Sequence, residues 1–184
     1  MYAVTKVIHF CYGHRLLNYE GKCRYLHGHN GRVEIELGSE RLDERGMVRD
    51  FNEIKETIQA WIDREFDHKM LLNRKDPALP LLQRLGEPVF AMDANPTAEA
   101  IAELIFAYTT SQGFPVTAVR LWETDSSCAA YQRANVRPRR RMGIDAEPGR
   151  DRGRGRSPSR PALRGHPDGG RSAGRARRST STAA

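Results

Sequence analysis

Alternating hydrophobic and polar positions predict β-strands at both ends of the chain. Residues 31–37 are the clearest case, because every second side chain from Val33 to Leu37 is aliphatic and those between them are acidic. Residues 2–12 mix β-branched and aromatic side chains with polar ones, which also favours a strand. Further strands are predicted over residues 46–48, 116–123 and 128–134, with a turn at 124–127.

Two segments with hydrophobic residues at helical spacing lie between these strands. The first begins at Asp50, a good N-cap residue, and Glu53 follows three positions later as in an acidic capping box. The second begins after Thr97 as the N-cap and ends before Gly113. The apolar stripes are Phe51, Ile54, Ile58, Trp61 and Ile62 in the first helix and Ile101, Leu104, Ile105 and Tyr108 in the second. The order ββααββ predicts an α+β fold, a four-stranded antiparallel sheet with two helices on one face.

Charge is distributed unevenly along the 184 residues, whose net charge is +7. Residues 1–136 contain 16 Lys and Arg against 19 Asp and Glu, whereas residues 137–184 contain 14 Arg, no Lys and four acidic residues. The second segment has no aromatic residue, and its only Leu or Ile residues are Ile144 and Leu163. Such a segment buries too little apolar surface to offset the entropy of ordering it. We therefore predict one folded domain over residues 1–136 and a disordered tail over 137–184.

Three interpretations of this tail stay open. An Arg-rich arm could contact RNA or another polyanion by neutralising phosphates. A solvated tail without a selected role is the interpretation that we favour over nucleic-acid contact. Arg without Lys, among Pro, Gly, Ala and Ser, is also what a shifted reading frame of GC-rich DNA tends to encode.

Composition excludes several classes of protein. No segment approaches the roughly 20 apolar residues that a membrane-spanning helix needs, so no membrane partner is expected. The N-terminus lacks the basic and apolar regions of a secretory signal. Three cysteines, Cys11, Cys23 and Cys128, cannot all pair with one another. We expect free thiols and a cytoplasmic location.

A pair of histidines separated by one glycine is the strongest candidate for a metal site. In a strand, His27 and His29 point to the same face and can offer both imidazoles to one ion. His14 could add a third ligand if its strand pairs alongside. Three His ligands with an open fourth position describe a catalytic zinc site rather than a closed structural one. A structural pair of strand histidines is the alternative.

Cys23 lies four residues before His27. A thiol near a bound divalent cation has a lowered pKa and can act as a base or nucleophile. Alternatively, Cys23 is a fourth metal ligand or only a packed side chain.

Two further groups could take part in acid–base chemistry or binding. Asp67 and His68 follow the first helix, where a carboxylate can orient an imidazole for proton transfer; a histidine that interacts with the helix dipole is the alternative. Glu123 ends a strand, where its carboxylate can accept two parallel hydrogen bonds from a guanidine-like edge or can simply be exposed.

Six segments together resemble one known family. The chain resembles the 6-pyruvoyltetrahydropterin synthase family, and most closely its bacterial branch, the 6-carboxytetrahydropterin synthases of queuosine (7-deazaguanine) biosynthesis. The spacing of Cys23 from the histidine pair is similar to that of this branch, and branches with Glu in place of the Cys are less similar. The matching segments, in the order of the family and over nearly all of residues 1–136, are FCYGHRL, KCRYLHGHN, GMVRDFNEIK, FDHKMLLN, NPTAEAIA and WET.

The resemblance implies a fold and a set of site residues. The fold is the tunnelling fold (T-fold), in which sheets from several subunits close into a barrel, typically a homohexamer with sites between subunits. The implied roles are zinc ligands for His14, His27 and His29, the catalytic base for Cys23, the other proton-transfer pair for Asp67 and His68, and the anchor of the pterin ring for Glu123.

The implied reaction is zinc-dependent conversion of 7,8-dihydroneopterin triphosphate to 6-carboxy-5,6,7,8-tetrahydropterin, with release of triphosphate and acetaldehyde. The alternatives are a 6-pyruvoyltetrahydropterin synthase or a related dihydroneopterin-processing enzyme, and an inactive scaffold whose tail binds polyanions. Basic residues must meet the triphosphate, and the candidates are Arg15, Lys22, Arg24 and Lys69.

The chain departs from the family pattern at two positions. Gly31 stands where the family usually has an aromatic residue, which bears on substrate preference. Ala100 stands where an Asn is usual, and we interpret this as a change on a helix surface.

Overall fold

The computed structural model of the protein describes residues 1–132, so the tail predicted over 137–184 lies outside the described residues. The strands are β1 (Tyr2–His14), β2 (His27–Ser39), β3 (Lys69–Asn73), β4 (Val89–Met92), β5 (Val116–Thr124) and β6 (Ser127–Gln132). The helices are α1 (Phe51–Ile54), α2 (Ala60–Glu65), α3 (Ala78–Arg84) and α4 (Ala98–Ser111), with a π-helical segment (Lys55–Gln59) that joins α1 to α2. Among residues 1–132, no helix is both long and apolar enough to cross a membrane.

The strands form one mixed sheet in the order β4-β3-β1-β2-β5-β6. The β1–β2, β2–β5 and β5–β6 pairs are antiparallel, whereas β3 pairs with β1 and β4 in parallel. The predicted α+β class is confirmed, but the predicted four-stranded antiparallel sheet is wrong because β3 and β4 extend it to six strands. Leu71 and Leu72 are neighbours in β3, and both are fully buried. This strand therefore lacks the alternation of hydrophobic and polar residues that identifies a strand with one exposed face.

The strand predicted over residues 46–48 is also wrong. This segment belongs to a turn that the side chain of Asp43 stabilises, because its Oδ1 accepts hydrogen bonds from the backbone N–H groups of Arg45 and Met47, both at 2.9 Å. An aspartate that binds the backbone two residues ahead favours a turn over an extended strand.

Both predicted helix starts are confirmed. The side chain of Asp50 accepts a hydrogen bond from the backbone N–H of Asn52 at 2.8 Å, and that of Thr97 accepts one from Ala100 at 3.3 Å. The carboxylate of Glu53 accepts a hydrogen bond from the Arg49 guanidinium at 3.1 Å. A side-chain N-cap satisfies one of the backbone donors that a helix leaves unpaired at its first turn.

The helices and the sheet bury a single cluster of hydrophobic side chains on one face of the sheet. The even-numbered residues 8–12 of β1 and the odd-numbered residues 31–37 of β2 are buried and point into this core. His14, His27 and His29 follow the same alternation at the ends of these strands. The alternation therefore places all three imidazoles on the core face, at the margin of the hydrophobic cluster.

Gly31 lies on β2 directly opposite Phe10 of β1. A Cβ atom at position 31 would lie 3.0 Å from Cε1 of Tyr12 and 3.4 Å from Cζ of Phe10. These two rings stack with their centroids 5.3 Å apart. The two aromatic side chains of β1 therefore fill the space that a side chain at position 31 would need, which explains the glycine there.

We expect the substitution Gly31→Ala to lower the free energy of unfolding by about 1–3 kcal/mol, because the added methyl group overpacks a filled space. Urea denaturation of the full chain measures this change. The same substitution should cost less in a Tyr12→Ala background, where the obstructing ring is absent. An equal cost in both backgrounds would contradict this explanation of Gly31.

Candidate functional site

Three imidazole side chains meet at the end of the β1–β2 pair. The register places His14 opposite His27, and His29 lies two residues further along β2 on the same face. The Nε2 atom of His14 is 3.0 Å from that of His27 and 3.1 Å from that of His29. One nitrogen from each ring lies within 4.8 Å of the others, so a single cation could contact all three.

The outer nitrogens of two of these rings determine their tautomers. Nδ1 of His14 lies 2.6 Å from the carbonyl oxygen of Pro96, and Nδ1 of His27 lies 2.8 Å from that of Tyr25. A carbonyl can only accept, so each Nδ1 carries a hydrogen, and in the neutral ring the lone pair is therefore on Nε2. Burial lowers the pKa of His14, which favours the neutral ring that binds metals.

This donor set fits a divalent transition metal. Two lone pairs that face each other at 3.0 Å repel unless an electron-pair acceptor lies between them, and a metal cation accepts both. Backbone carbonyls on the far side of metal-bound imidazoles are the usual means of fixing such rings. Three imidazole nitrogens suit zinc and leave a fourth position open.

Glu123 lies beside the histidines at the end of β5. Its Oε1 atom is 3.8 Å from Nε2 of His14 and accepts a hydrogen bond of 2.9 Å from the hydroxyl of Tyr12. Burial, together with the negative charge of Glu123, raises the pKa of Tyr12 far above its usual value, so the hydroxyl stays a donor. Tyr12 could not be identified as a site residue from the sequence, because its partner lies 111 positions away and no local pattern links the two residues.

Cys23 faces the same cavity as Glu123. It lies in a short 3₁₀ helix (Lys22–Arg24) between β1 and β2 and is half-buried. A cavity of 240 Å³ is lined by Cys23, Glu123, His14 and the N-terminal residues of α4, among others. The structure thus brings the predicted thiol, the predicted carboxylate and one predicted metal ligand to one cavity.

Asp67 and His68 form a hydrogen-bonded pair between α2 and β3. Nδ1 of His68 donates to Oδ2 of Asp67 at 2.8 Å, and Oδ1 of Asp67 accepts from the backbone N–H of Cys11 at 2.8 Å. Burial acts to raise the pKa of Asp67, but these hydrogen bonds outweigh it and the pKa is lowered. The ionised carboxylate therefore orients the ring and leaves Nε2 of His68 free to exchange a proton.

The Asp67–His68 pair does not share the cavity of Cys23 within residues 1–132. His68 lines a larger cavity of 650 Å³, together with His27 and His29. The smaller cavity borders His14 and contains Cys23, whereas the larger one borders the other two histidines and contains His68.

The structure separates the basic residues that were candidates for binding a triphosphate. The Arg15 guanidinium donates two hydrogen bonds to the buried carboxylate of Asp76, one of them 2.7 Å long from Nε. Arg24 lies over the ring of Tyr25, 4.9 Å from its centroid. Lys69 lines the larger cavity beside the histidines. Lys22 is exposed in the 3₁₀ helix beside Cys23, so Lys69 is the only one of the four candidates that lines this cavity.

Comparison with known proteins places these features in a family. Residues 3–134 match the sequence profile described as 6-pyruvoyl tetrahydropterin synthase. The chain belongs to the 6-pyruvoyl tetrahydropterin synthase family. A relative named 6-carboxy-5,6,7,8-tetrahydropterin synthase from Rickettsia bellii is 38% identical over 131 residues, which cover 67% of this chain and 95% of the relative. A relative of the same name from Haemophilus influenzae is 30% identical over 140 residues, 72% of this chain and 99% of the relative.

Two solved structures share the fold of this chain. An uncharacterized protein of Wolinella succinogenes matches with a TM-score of 0.61 and 28% identity, over 71% of this chain and 97% of that protein. The 6-pyruvoyl tetrahydropterin synthase of Caenorhabditis elegans matches with a TM-score of 0.55 and 21% identity, over 72% of this chain and 96% of that protein. The fold predicted from the family resemblance, the T-fold of the 6-pyruvoyl tetrahydropterin synthases, is confirmed for the single chain.

We expect His27→Ala to lower zinc affinity by roughly 100-fold or more, because it removes one of three nitrogen ligands. Metal analysis of the protein after dialysis against zinc measures the change. His9→Ala is the matched control, since His9 lies on β1 but points to the opposite face. Full zinc content in His27→Ala, or equal loss in both variants, would contradict the ligand assignment.

Proposed function

We propose that this chain is a zinc-dependent 6-carboxy-5,6,7,8-tetrahydropterin synthase. It converts 7,8-dihydroneopterin triphosphate to 6-carboxy-5,6,7,8-tetrahydropterin and releases triphosphate and acetaldehyde, in queuosine biosynthesis in the cytoplasm. The observation that carries the proposal is the cavity in which Cys23 and Glu123 face His14, one of three imidazoles that meet at a point. Relatives that bear this name at 30–38% identity support the choice of reaction.

The substrate is bound at its two ends in this proposal. Glu123 accepts the N–H and NH₂ groups at the edge of the pterin ring, which match the two oxygens of a carboxylate. Lys69 provides positive charge for the triphosphate. Zinc, held by His14, His27 and His29, would supply Lewis acidity that polarises the side-chain oxygens of the substrate.

Proton transfer is assigned to two groups of the chain. Cys23, as the thiolate, removes a proton from a side-chain carbon of the substrate, and triphosphate leaves with the electron pair of its C–O bond. His68, oriented by Asp67 at 2.8 Å, exchanges the second proton through its free nitrogen. A water molecule supplies the second carboxylate oxygen by adding to the side-chain carbon bonded to C6. The bond from that carbon to the next one then breaks, which leaves the carboxylate at C6, and the two-carbon fragment takes up a proton and leaves as acetaldehyde.

We also propose a homohexamer in which a neighbouring subunit completes each site. The chain alone leaves Cys23 and His68 in different cavities, so a site that needs both groups requires a second copy. The large apolar side chains of Leu81 and Leu85 are 52% and 75% exposed, and Leu85 lines the cavity of His68. Exposed apolar residues at the rim of this cavity fit a contact between subunits. Sheets from the subunits would close into the barrel typical of the T-fold.

Incubation of zinc-loaded protein with 7,8-dihydroneopterin triphosphate tests the reaction, with the products identified by mass spectrometry. We expect 6-carboxy-5,6,7,8-tetrahydropterin and acetaldehyde. Cys23→Ala should keep its zinc but lose activity by about 10²–10⁴-fold, the contribution of a general base. A pyruvoyl product would replace the proposed reaction with that of a 6-pyruvoyltetrahydropterin synthase. No turnover by zinc-replete protein would overturn an enzymatic function.

Mixed assemblies test whether sites form between subunits. Cys23→Ala and His68→Ala subunits, each inactive alone, are unfolded together, refolded at equal amounts and assayed. If one subunit supplies Cys23 and its neighbour supplies His68, roughly a quarter of the sites combine two intact groups, and about that fraction of activity returns. Activity that stays absent in correctly assembled mixtures would mean that both groups act within one chain.

A further inference from the structure

A tyrosine on β1 reaches across a whole strand to contact the carboxylate on β5. β2 lies between these two strands, and strands two positions apart are separated by roughly 10 Å. Despite this separation, the hydroxyl of Tyr12 donates to Oε1 of Glu123 at 2.9 Å. The ring passes over Gly31, where an added Cβ would lie 3.0 Å from its Cε1 atom. A side chain at position 31 would crowd the ring along this path.

We propose that Tyr12 is a positioning residue that holds the Glu123 carboxylate ready for the pterin ring, and that Gly31 is required for it to do so. The inference rests on the proposed pterin role of Glu123. Gly31 also gains an explanation. Tyr12 of the neighbouring strand supplies the aromatic group that β2 lacks at position 31, and it places a hydroxyl at the carboxylate.

The hydrogen-bonding capacity of Glu123 allows both contacts at once. Each carboxylate oxygen can accept two hydrogen bonds. Tyr12 uses one position on Oε1, which leaves the second position on Oε1 and both on Oε2 for the two donors of a pterin edge. A tyrosine donor therefore fixes the carboxylate without competing with the ligand.

The ring of Tyr12 is itself fixed on several sides. Tyr12 is only 3% exposed, and its ring stacks on that of Phe10. The imidazole centroids of His14 and His29 lie 5.4 Å and 5.7 Å from its own. A flexible glutamate held by such a rigid donor loses less side-chain freedom when a ligand binds. Without that donor, Glu123 could turn toward the metal-binding nitrogen of His14, which is 3.8 Å from Oε1.

The test compares neopterin binding, by calorimetry, among zinc-loaded full-length variants. The variants are Tyr12→Phe, Glu123→Ala, the double variant, and Tyr108→Phe as a control that removes a tyrosine hydroxyl outside the site. We expect Tyr12→Phe to weaken neopterin binding roughly tenfold, as for the loss of one hydrogen bond to a charged group. Zinc content should stay the same, and the substitution should have no further effect in the Glu123→Ala background.

Kinetics provide a second readout that separates positioning from chemistry. For 7,8-dihydroneopterin triphosphate, Tyr12→Phe should raise KM by a similar factor and leave kcat within about twofold, because the hydroxyl touches neither the reacting carbons nor the bases. Tyr108→Phe should change neither constant, since Tyr108 stacks on Trp61 in the helical layer.

Several outcomes would overturn the inference. Neopterin affinity unchanged in Tyr12→Phe would remove the positioning role, and equal weakening in the Glu123→Ala background would mean that Tyr12 acts without Glu123. Loss of zinc from Tyr12→Phe would assign the hydroxyl to the metal site instead. If the parent protein binds neopterin but produces no turnover, the proposed reaction fails while the binding data still decide the role of Tyr12. Absence of neopterin binding by the parent protein would overturn the inference together with the pterin role of Glu123.

Discussion

The antiparallel register of β1 and β2 is the constraint on which the candidate site depends. It places His14 opposite His27 and brings His29 onto the same face. A slip of one residue would turn every side chain of a strand to the other face of the sheet. Such a slip is opposed by core residues of the same strands, such as Ile8 and Val33, which are 2% and 0% exposed. Burial of the hydrophobic core therefore also aligns the three imidazole side chains.

The strands and helices that could be predicted are those with a hydrophobic repeat or an N-cap residue in their own sequence. The alternation in β2 identified that strand, and the side chains of Asp50 and Thr97 identified the starts of two helices. β3 and β4 were missed because they are short, and β3 is buried on both faces at Leu71 and Leu72. α3 was missed because its seven residues include Pro80 and only Leu79 among them is buried. A helix with one buried side chain has no stripe of hydrophobic residues that a sequence pattern could reveal.

The candidate site could be predicted where its residues are close in sequence or match a family segment. The histidine pair flanking Gly28 indicated a shared face from strand geometry alone. Cys23 and Glu123 were candidates from their places in the sequence, and the family resemblance implied their roles. Tyr12 could not be found in this way, because its contact with Glu123 crosses β2 and joins residues 111 positions apart. The same long-range geometry explains Gly31, which the sequence presents only as a missing aromatic side chain.

Anomalous X-ray diffraction at the zinc absorption edge, from crystals of the zinc-loaded chain, tests the central claim most directly. The claim is that strand register assembles a three-histidine metal site. The account predicts one strong anomalous peak at about 2.0–2.1 Å from Nε2 of each of His14, His27 and His29, with a position left open for substrate. No peak between these rings, or a closed site in which Cys23 is the fourth ligand, would contradict it.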